Sequence, residues 1–230
     1  MAVYRLDDKL WFPNPYLGEE SGLVAVGGDL SPERLLLAYS QGFFPWFAYR
    51  IYKEPHWYCP VRRFVIFPDE IHISHSMRTL MRKNRYEVTF NEAFERVIRE
   101  CMTADGRDDD RFAWLGEDII DAYTELHHLG DAFSVEVWEK SLSPGEHRRL
   151  AGGLYGVQSG RGFMGESMFS LVPNGSKLAL IYLAQKALKE GWNFIDCQFE
   201  TPHFRSMGGR YISYSDYMSL LQQDGGSCQV

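Results

Sequence analysis

The sequence predicts an α+β fold built around a mixed β-sheet. Three observations lead to this class: helical and strand patterns alternate after residue 100, two strands meet at a glycine-rich turn, and a long helix then crosses to a further buried strand. Strands joined by a tight turn run antiparallel, whereas a doubly wound nucleotide-binding sheet is mostly parallel. The order of the elements therefore argues against a doubly wound fold.

The composition is typical of a globular chain and excludes several classes of protein. The 230 residues are 45% hydrophobic and 24% charged, which argues against a disordered, collagen-like or membrane-bundle protein. A formal net charge of −7 argues against a general nucleic-acid coat protein, although it leaves room for a local basic face.

The cysteines and the apolar runs bear on where the protein resides. Four widely spaced cysteines form no Cys-x-x-Cys pair, so no zinc site is predicted. No secretory leader is visible, and no apolar run approaches the ~18 residues that a membrane-spanning helix needs. The sequence therefore predicts a cytoplasmic protein with reduced thiols and no membrane partner.

The first part of the chain predicts a small N-terminal domain. Short strands and turns lead to a helix that Ser31 caps and Gly42 ends. Residues 43–47, Phe-Phe-Pro-Trp-Phe, are expected to form a turn that carries large rings, because proline is excluded from helix interiors and central strands. The sequence predicts two domains, residues 1–62 and residues 63–230.

The second part of the chain begins with a buried strand entered through two arginines, at positions 62 and 63. Apolar periodicity and capping residues then define the remaining elements. The predicted elements are a helix from an Asn91 cap to about Cys101, a helix over 117–128 ended by Gly130, strands over 133–140, 150–158 and 163–166, a helix from a Ser176 cap to Glu190, a buried strand over 192–198, and a helix from a Ser215 cap to about Gln222.

Glu166 is the first candidate for a functional residue. It follows a strand and stands among small and apolar residues, in the segment Gly-Glu-Ser-Met-Phe-Ser over 165–170. An isolated glutamate at a strand end is ordinarily a surface group. The alternative is a carboxylate at the mouth of a pocket that binds a cationic amine.

Asp196 and Gln198 form the second candidate, at the end of an apolar strand. Alternation would place both side chains on one side of the strand. Asp196 either bonds a loop backbone as a structural residue, or it orients or deprotonates a nucleophile. Alternation points Cys197 the other way, which favours a small core residue over a catalytic thiol.

Basic groups at 62–63, 78–85 and 148–149 have two interpretations. They are ordinary solvated charge, or they form a phosphate-binding face in an acidic protein. Together with Trp57, Tyr58 and Phe64 they would suit a nucleic-acid end with an unstacked base. No phosphate-binding loop with a following Gly-Lys-Ser/Thr occurs, so ATP hydrolysis is not expected.

Nine short segments, in order and over nearly the whole chain, resemble one family, the leucyl/phenylalanyl-tRNA–protein transferases. Any one segment is weak evidence, and the set is highly specific. The segments are 22–32 (GLVAVGGDLSP), 42–47 (GFFPWF), 57–60 (WYCP), 72–74 (HIS), 134–138 (SVEVW), 152–157 (GGLYGV), 165–170 (GESMFS), 176–177 (SK) and 195–198 (IDCQ).

The resemblance implies a fold and an activity. It implies a small N-terminal domain followed by a larger domain of the acetyltransferase-like (GNAT) type. It also implies transfer of Leu or Phe, and sometimes Met, from the 3′ end of aminoacyl-tRNA to a protein whose N-terminus is Arg or Lys, which marks that protein for N-end-rule degradation. The donor is an activated ester, so the reaction needs neither ATP nor a metal, and a monomer without cofactors is expected.

The resemblance also implies roles for polar residues. Asp196 and Gln198 match the residues assigned to activating the acceptor amine, and Glu166 matches the residue that holds the amine of the donor amino acid. Because glutamine is a very poor base, Gln198 is interpreted as an orienting hydrogen-bond group and Asp196 as its electrostatic partner. The adjacent Ser167 is expected to bond the backbone of the substrate.

Aromatic and apolar residues complete the implied site. Trp46 and Trp114 match aromatic residues at the terminal adenosine of the tRNA, where a stacking plane is useful. The chain departs from the family at Leu183 and Ala187, where aromatic residues are common, so the pocket is expected to be roomier or differently shaped. The implied amino-acid pocket consists of Leu154, Met168, Leu180, Leu183 and Ile195.

Two other functions stay open at this point. An acyl-CoA N-acetyltransferase would use the same fold, but residues 158–162 (QSGRG) have the wrong spacing for a pyrophosphate loop. A non-enzymatic module that binds the tRNA end is the other alternative. With a net charge of −7, contact with few phosphates and a shallow salt dependence of tRNA binding are expected.

Overall fold

Two β-sheets organise the part of the chain that the computed structural model describes, which is residues 2–47, 51–105, 116–140 and 147–222. The first sheet has the strand order β1-β2-β4-β3, and the second has the order β11-β5-β10-β9-β8-β7-β6. The strands are β1 (Tyr4–Leu6), β2 (Leu23–Gly27), β3 (Phe44–Pro45), β4 (His56–Tyr58), β5 (Arg62–Ile66), β6 (Tyr86–Phe90), β7 (Ala132–Glu139), β8 (Arg149–Ser159), β9 (Gly162–Ser170), β10 (Phe194–Asp196) and β11 (Arg210–Ser213).

Helices lie between these strands and pack on the sheets. No helix within the described ranges is long and apolar enough to cross a membrane. The helices are α1 (Pro32–Ser40), α2 (His75–Arg82), α3 (Phe94–Asp105), α4 (Glu117–Leu129), α5 (Gly175–Glu190), α6 (Pro202–Ser206) and α7 (Tyr214–Gln222).

The first sheet holds the N-terminal elements much as the sequence predicts. The hydroxyl of Ser31 accepts a hydrogen bond from the Arg34 N–H at the start of α1, and Gly42 follows the helix with a φ of +78°. Residues 44 and 45 form a two-residue strand, where a turn was predicted. This strand lies at the edge of the sheet, where the missing N–H of Pro45 costs no ladder bond.

The second sheet confirms the predicted order of helix, three strands, helix and strand after residue 116. Strands β7, β8 and β9 run antiparallel, and α5 then connects β9 to the parallel strand β10. The first sheet is built from residues 4–58 and the second from residue 62 onward. The division into domains at residue 62 stays a prediction, and α1 packs against β8 and α4 of the second part.

Strand β10 ends well before its parallel neighbour β9, and this difference in length makes room for a site. Their pairing extends only from Gly162 to Met164 on β9, opposite Phe194 to Asp196 on β10. Beyond it, β9 continues to Ser170 beside β8 while β10 has already ended. The predicted extents of these strands, 163–166 and 192–198, were therefore wrong. Strand β9 is longer because β8 pairs with it from Gly162 to Ser170, with a register shift at Glu166, and β10 is shorter because the chain turns at residue 198.

The start of α5 differs from the prediction. Its N-cap is Asn174, and Ser176 lies inside the first turn. The hydroxyl of Ser170, at the end of β9, accepts a hydrogen bond from the Ser176 N–H at 2.8 Å. Ser170 on the strand therefore provides a hydrogen-bond acceptor at the start of the helix, where the sequence predicted that Ser176 would act as the cap.

The predicted caps of α3 and α7 were also wrong. The Asn91 side chain accepts a hydrogen bond from the Ser134 N–H on β7, which leaves the N–H groups near the start of α3 to another partner. At α7, the hydroxyl that accepts from the Asp216 N–H belongs to Ser213, two residues before the predicted cap at Ser215.

Glu136 on β7 is the partner near the start of α3. Its buried carboxylate accepts hydrogen bonds from the N–H groups of residues 92 and 93, each at 3.4 Å. It also accepts hydrogen bonds from the hydroxyls of Thr89 and Ser134. A single buried carboxylate thus joins β6, β7 and the entry to α3 through four donors.

We predict that Glu136→Gln lowers the free energy of unfolding by about 2 kcal/mol, because an amide N–H₂ would face hydrogen-bond donors in a buried position. Urea denaturation measures the change. The matched control is Glu95→Gln on the exposed face of α3, which should change the free energy of unfolding by less than about 0.5 kcal/mol. Equal effects of the two substitutions would contradict this role of Glu136.

Candidate active site

A cavity of about 380 Å³ lies beside β9, at the point where β10 ends. The first sheet closes it with residues 44–46, and α5 and α6 contribute further walls. Most of its lining is apolar, with a few polar side chains grouped on one part of the wall. The lining includes ten of the eleven predicted site residues: Trp46, Leu154, Glu166, Ser167, Met168, Leu180, Leu183, Ile195, Asp196 and Gln198.

The eleventh predicted residue, Trp114, lies outside the described residues. The cavity also has lining residues that the sequence did not single out. They come from the turn that follows Cys197 and from α6, and they are Phe199, Thr201 and Phe204. No signal in the sequence marked them, because their placement depends on how the chain turns after β10.

Asp196 is fully buried at the end of β10 and accepts three hydrogen bonds. Its Oδ2 accepts from Arg63 Nε at 2.9 Å and from the Tyr217 hydroxyl at 3.0 Å. Its Oδ1 accepts from the Gln198 N–H at 2.8 Å. The carboxylate is therefore both a structural residue that bonds the following loop and a charged group in the wall of the cavity.

Arg63 on β5 is the cation that accompanies Asp196. The guanidinium is buried, also donates to the Gly42 carbonyl, and lies over the rings of Phe44 and Tyr217 at 4.9 and 4.8 Å. The Asp196 charge raises the pKa of Arg63 against the opposing effect of burial. A buried charge is costly unless it is paired and hydrogen-bonded. The two charges pair with each other, and Arg63 donates through Nε and Nη2, while its buried Nη1 has no hydrogen-bond partner within the described residues.

Gln198 presents its side chain to the cavity from an unusual backbone conformation. Its φ is +55°, and the Phe199 N–H donates to the Cys197 carbonyl at 2.6 Å, so residues 197–199 form a γ-turn. Strand alternation does not apply here, because β10 ends at Asp196. Asp196 and Gln198 both line the cavity, as predicted, but they do so because of the turn.

Glu166 on β9 has a different environment from Asp196. Glu166 as a residue borders the open cavity. Its Oε1 atom is shielded from solvent and has no hydrogen-bond partner within the described residues. Its Oε2 accepts a hydrogen bond from the Tyr123 hydroxyl at 3.1 Å. Burial raises the pKa of the Glu166 carboxyl to about 8, and the nearby Asp196 charge adds to this effect.

Two buried tyrosines stand behind Glu166. The Tyr123 hydroxyl, which donates to Glu166, is hydrogen-bonded to the Tyr39 hydroxyl from α1. Burial, followed by the Glu166 charge, raises the pKa of both tyrosines well above its ordinary value. Both hydroxyls therefore keep their protons and act as hydrogen-bond donors in a line that ends at Glu166.

Trp46 is the exposed aromatic residue at the mouth of the cavity. The residue is 43% exposed, and its ring lies 5.3 Å from the ring of Tyr58 and 5.2 Å from that of Phe199. Of the three aromatic residues considered together with the basic groups, Trp57 and Phe64 are buried in the core, and Tyr58 contacts Trp46. A flat, partly exposed ring beside a cavity suits stacking by a nucleobase.

The cysteine in this segment is not available as a nucleophile. Cys197 is buried, and burial followed by the Asp196 charge raises the pKa of its thiol. This placement agrees with the prediction of a core residue. No group of three or more His, Cys, Asp or Glu side chains within the described ranges is arranged to hold a metal ion.

Three arginines of the basic segments form ion pairs with glutamates. Glu139 pairs with both Arg85 and Arg149, and Arg148 pairs with Glu92. These three cations have carboxylate partners on neighbouring strands and loops, and Arg85 and Arg149 remain largely exposed.

Sequence reasoning missed the partners of the two carboxylates. Arg63 was grouped with surface charge, although its position inside an otherwise apolar strand, before Phe64, was a signal of burial. The sequence pattern indicates only ordinary apolar positions of amphipathic helices for three tyrosines, Tyr39, Tyr123 and Tyr217. Only the packing of α1, α4 and α7 against the second sheet brings their hydroxyls to the carboxylates.

Two family models match the chain. The model described as leucyl/phenylalanyl-tRNA protein transferase matches residues 65–222. The model described as the N-terminal domain of the same transferase matches residues 28–61.

Curated proteins similar to this chain carry the same description. A leucyl/phenylalanyl-tRNA–protein transferase of Syntrophobacter fumaroxidans is 48% identical over 225 residues, which cover 97% of this chain and 92% of that protein. One of Flavobacterium psychrophilum is 42% identical over 222 residues, covering 96% of this chain and 100% of that protein. Among solved structures, L-PGS from Bacillus licheniformis is similar at 13% identity, with 87% of this chain and 64% of that chain covered and a TM-score of 0.40. A structural likeness this weak supports no statement about the chain.

We predict that Glu166 makes stability depend on pH in a defined direction. Its pKa is about 8 in the folded protein against an ordinary 4.5, so the folded state holds more protons between these values. The contribution is fully present below about pH 4.5 and is lost as the pH rises towards about 8, with a limiting slope of about 1.4 kcal/mol per pH unit.

Urea denaturation of the wild type and of Glu166→Gln at several pH values measures this contribution. The free energy of unfolding of the wild type should fall relative to that of the variant as the pH rises from about 5 to about 8. Parallel pH profiles for the two proteins would show that Glu166 does not titrate in this range.

Proposed function

The chain belongs to the leucyl/phenylalanyl-tRNA–protein transferase family, and we propose that its cavity holds the aminoacyl end of the donor tRNA. It is an aminoacyltransferase, which moves Leu or Phe from aminoacyl-tRNA to the N-terminus of a protein. The observation that carries the assignment of the site is the combination of an apolar cavity with one buried carboxylate oxygen, Glu166 Oε1, that lacks a partner within the described residues.

In this proposal Glu166 binds the α-ammonium group of the donor amino acid. An ammonium group would give Oε1 the donor it lacks, and it would supply the positive charge that favours the ionised carboxylate. The Tyr123 hydroxyl fixes the other oxygen, so the carboxylate is held in one orientation before the substrate arrives. In the same proposal Ser167, which also lines the cavity, bonds the substrate backbone.

The apolar wall receives the side chain of the donor amino acid. Five residues of β8, β9, α5 and β10 form this wall, and branched or flexible side chains among them suit Leu, Phe or Met. Leu183 is buried in the wall and leaves more room there than an aromatic residue would. The residues are Leu154, Met168, Leu180, Leu183 and Ile195.

The reaction itself needs positioning more than an added reagent. The acceptor amine nitrogen forms a bond to the carbonyl carbon, the bond from that carbon to the ribose oxygen breaks, and the proton lost by the amine goes to the ribose oxygen directly or through water. We propose that Gln198 orients the acceptor amine and that Asp196 supplies a fixed negative charge beside it. A bound ester and amine in the correct geometry gain rate by proximity.

Further details of the proposal concern the partners. An N-terminal Arg or Lys on the acceptor is compatible with the net charge of −7. We propose that the active unit is a monomer. Aminoacyl-tRNA as the donor supports the cytoplasm as the place of action.

We also propose that the second sheet is of the acetyltransferase-like type. The support is its parallel pair β9 and β10, in which β9 continues past the end of β10 and the cavity lies beside the unpaired part of β9. The tight antiparallel strands before β9 and the crossover helix α5 agree with this class.

We predict that the purified protein transfers labelled Phe and Leu from their tRNAs to a peptide that begins with Arg or Lys. A matched peptide that begins with Ala and free labelled amino acids serve as controls. Label on the basic peptides alone, and only from charged tRNA, is the expected result. No label from any charged tRNA, with label from acetyl-CoA instead, would contradict the proposal and favour an N-acetyltransferase.

We predict that Trp46→Ala raises the KM for aminoacyl-tRNA about tenfold with little change in kcat, because a stacking partner of the terminal base is lost. Trp46→Phe should retain most of the affinity. Tyr16→Ala is the matched control, since Tyr16 is also exposed but lies outside the lining of the cavity. An unchanged KM in Trp46→Ala would remove this residue from the tRNA site.

A further inference from the structure

We propose that Arg63 and Tyr217 are positioning residues for the transfer reaction, because they hold Asp196 so that it fixes the strained turn at Gln198 and directs the Gln198 side chain into the cavity. This inference rests on the proposed function, in which Gln198 contacts the acceptor amine. Neither Arg63 nor Tyr217 lines the cavity, so both act through Asp196.

The backbone of Gln198 has an unusual conformation. Four non-glycine residues in the described ranges have a positive φ, and Gln198 is the one that is not an asparagine. Asparagine tolerates this region because its short side chain bonds locally, whereas glutamine does not share that advantage. A γ-turn with a positive φ at its centre is the rarer and more strained form of this turn. The surroundings must therefore hold Gln198 in place.

Two backbone hydrogen bonds of Gln198 hold the turn in place. On the N-terminal side, the Gln198 N–H donates to Asp196 Oδ1 at 2.8 Å. On the C-terminal side, the Gln198 carbonyl accepts from the Phe64 N–H at 3.3 Å. Both peptide groups of Gln198 are thus fixed, while its side-chain amide makes no hydrogen bond to the described part of the chain and lies in the lining of the cavity.

Two side chains fix the orientation of the Asp196 carboxylate. Oδ2 accepts hydrogen bonds from Arg63 on β5 and from Tyr217 on α7, which approach from two different elements. The Tyr217 ring also lies over the Arg63 guanidinium and 4.9 Å from the ring of Phe194, and all four residues are buried. With both donors in place the carboxylate cannot rotate, so Oδ1 remains directed at the Gln198 N–H.

These contacts give Asp196 a task that differs from taking a proton. Its two oxygens accept three hydrogen bonds from the protein itself. The carboxylate therefore acts on the reaction through the conformation of Gln198 as well as through its charge. Loss of the Tyr217 hydroxyl should loosen the turn without removing any group that touches the substrate.

Tyr217→Phe tests this arrangement with the smallest change. The substitution keeps the ring over Arg63 and removes only the hydroxyl that donates to Asp196, whereas a substitution of Arg63 would leave a buried, unpaired carboxylate and endanger folding. We expect kcat to fall about tenfold while the KM for aminoacyl-tRNA stays within about twofold.

A double-mutant cycle separates positioning from a general structural effect. Gln198→Gly removes the side chain, and glycine adopts the positive φ without strain. In this background, measured under single-turnover conditions with excess enzyme, Tyr217→Phe should change the rate by less than about twofold. A merely structural role of Tyr217 would lower the rate to the same extent in both backgrounds.

The control is Tyr214→Phe, which removes a hydroxyl of the same helix that donates to the Gln41 carbonyl at 2.9 Å. It should leave kcat unchanged. An unchanged kcat in Tyr217→Phe, or an equal loss with and without the Gln198 side chain, would overturn the positioning role while leaving the transfer reaction established. Absence of transfer by the wild type would instead overturn the proposed function.

Discussion

The ion pair between Arg63 and Asp196 is the interaction on which the architecture of the site depends. Two carboxylates, Glu166 and Asp196, border one apolar cavity, and a buried carboxylate is costly without a cation or several donors. Within the described part of the chain, Asp196 has a buried arginine and two further donors, while Glu166 has one tyrosine hydroxyl. The chain thus compensates one carboxylate, and we propose that the substrate compensates the other.

This difference accounts for much of the surrounding structure. Arg63 reaches Asp196 because β5 pairs with β10, and its contact with the Gly42 carbonyl ties the same cation to the N-terminal segment that carries Trp46. The early end of β10 leaves Gln198 in a turn and opens the space in which the cavity lies. The proposed donor is already activated, so a preorganised site of this kind can act chiefly by orientation and by fixed charge.

Sequence reasoning was accurate where a signal is local and failed where partners are distant. Ser31 before a proline and Gly130 after an apolar stripe marked the ends of helices correctly, because capping depends on adjacent residues. The cap predicted at Ser176 was wrong, because the hydroxyl that accepts from that helix comes from a neighbouring strand. The candidate carboxylates were visible as polar residues at the ends of apolar strands. The sequence did not show that Asp196 has a buried cation as its partner whereas Glu166 has none, because Arg63 is 133 residues away from Asp196 in the chain.

The most direct test of the account compares Phe-tRNA with phenyllactyl-tRNA, in which a hydroxyl replaces the α-amino group of the donor. If Glu166 binds the ammonium group, the wild type should favour Phe-tRNA in kcat/KM by a factor of about 10 to 100, and Glu166→Gln should reduce this preference to within about threefold. The same preference in the wild type and in Glu166→Gln would show that the ammonium group binds elsewhere and would contradict the central role given to this carboxylate.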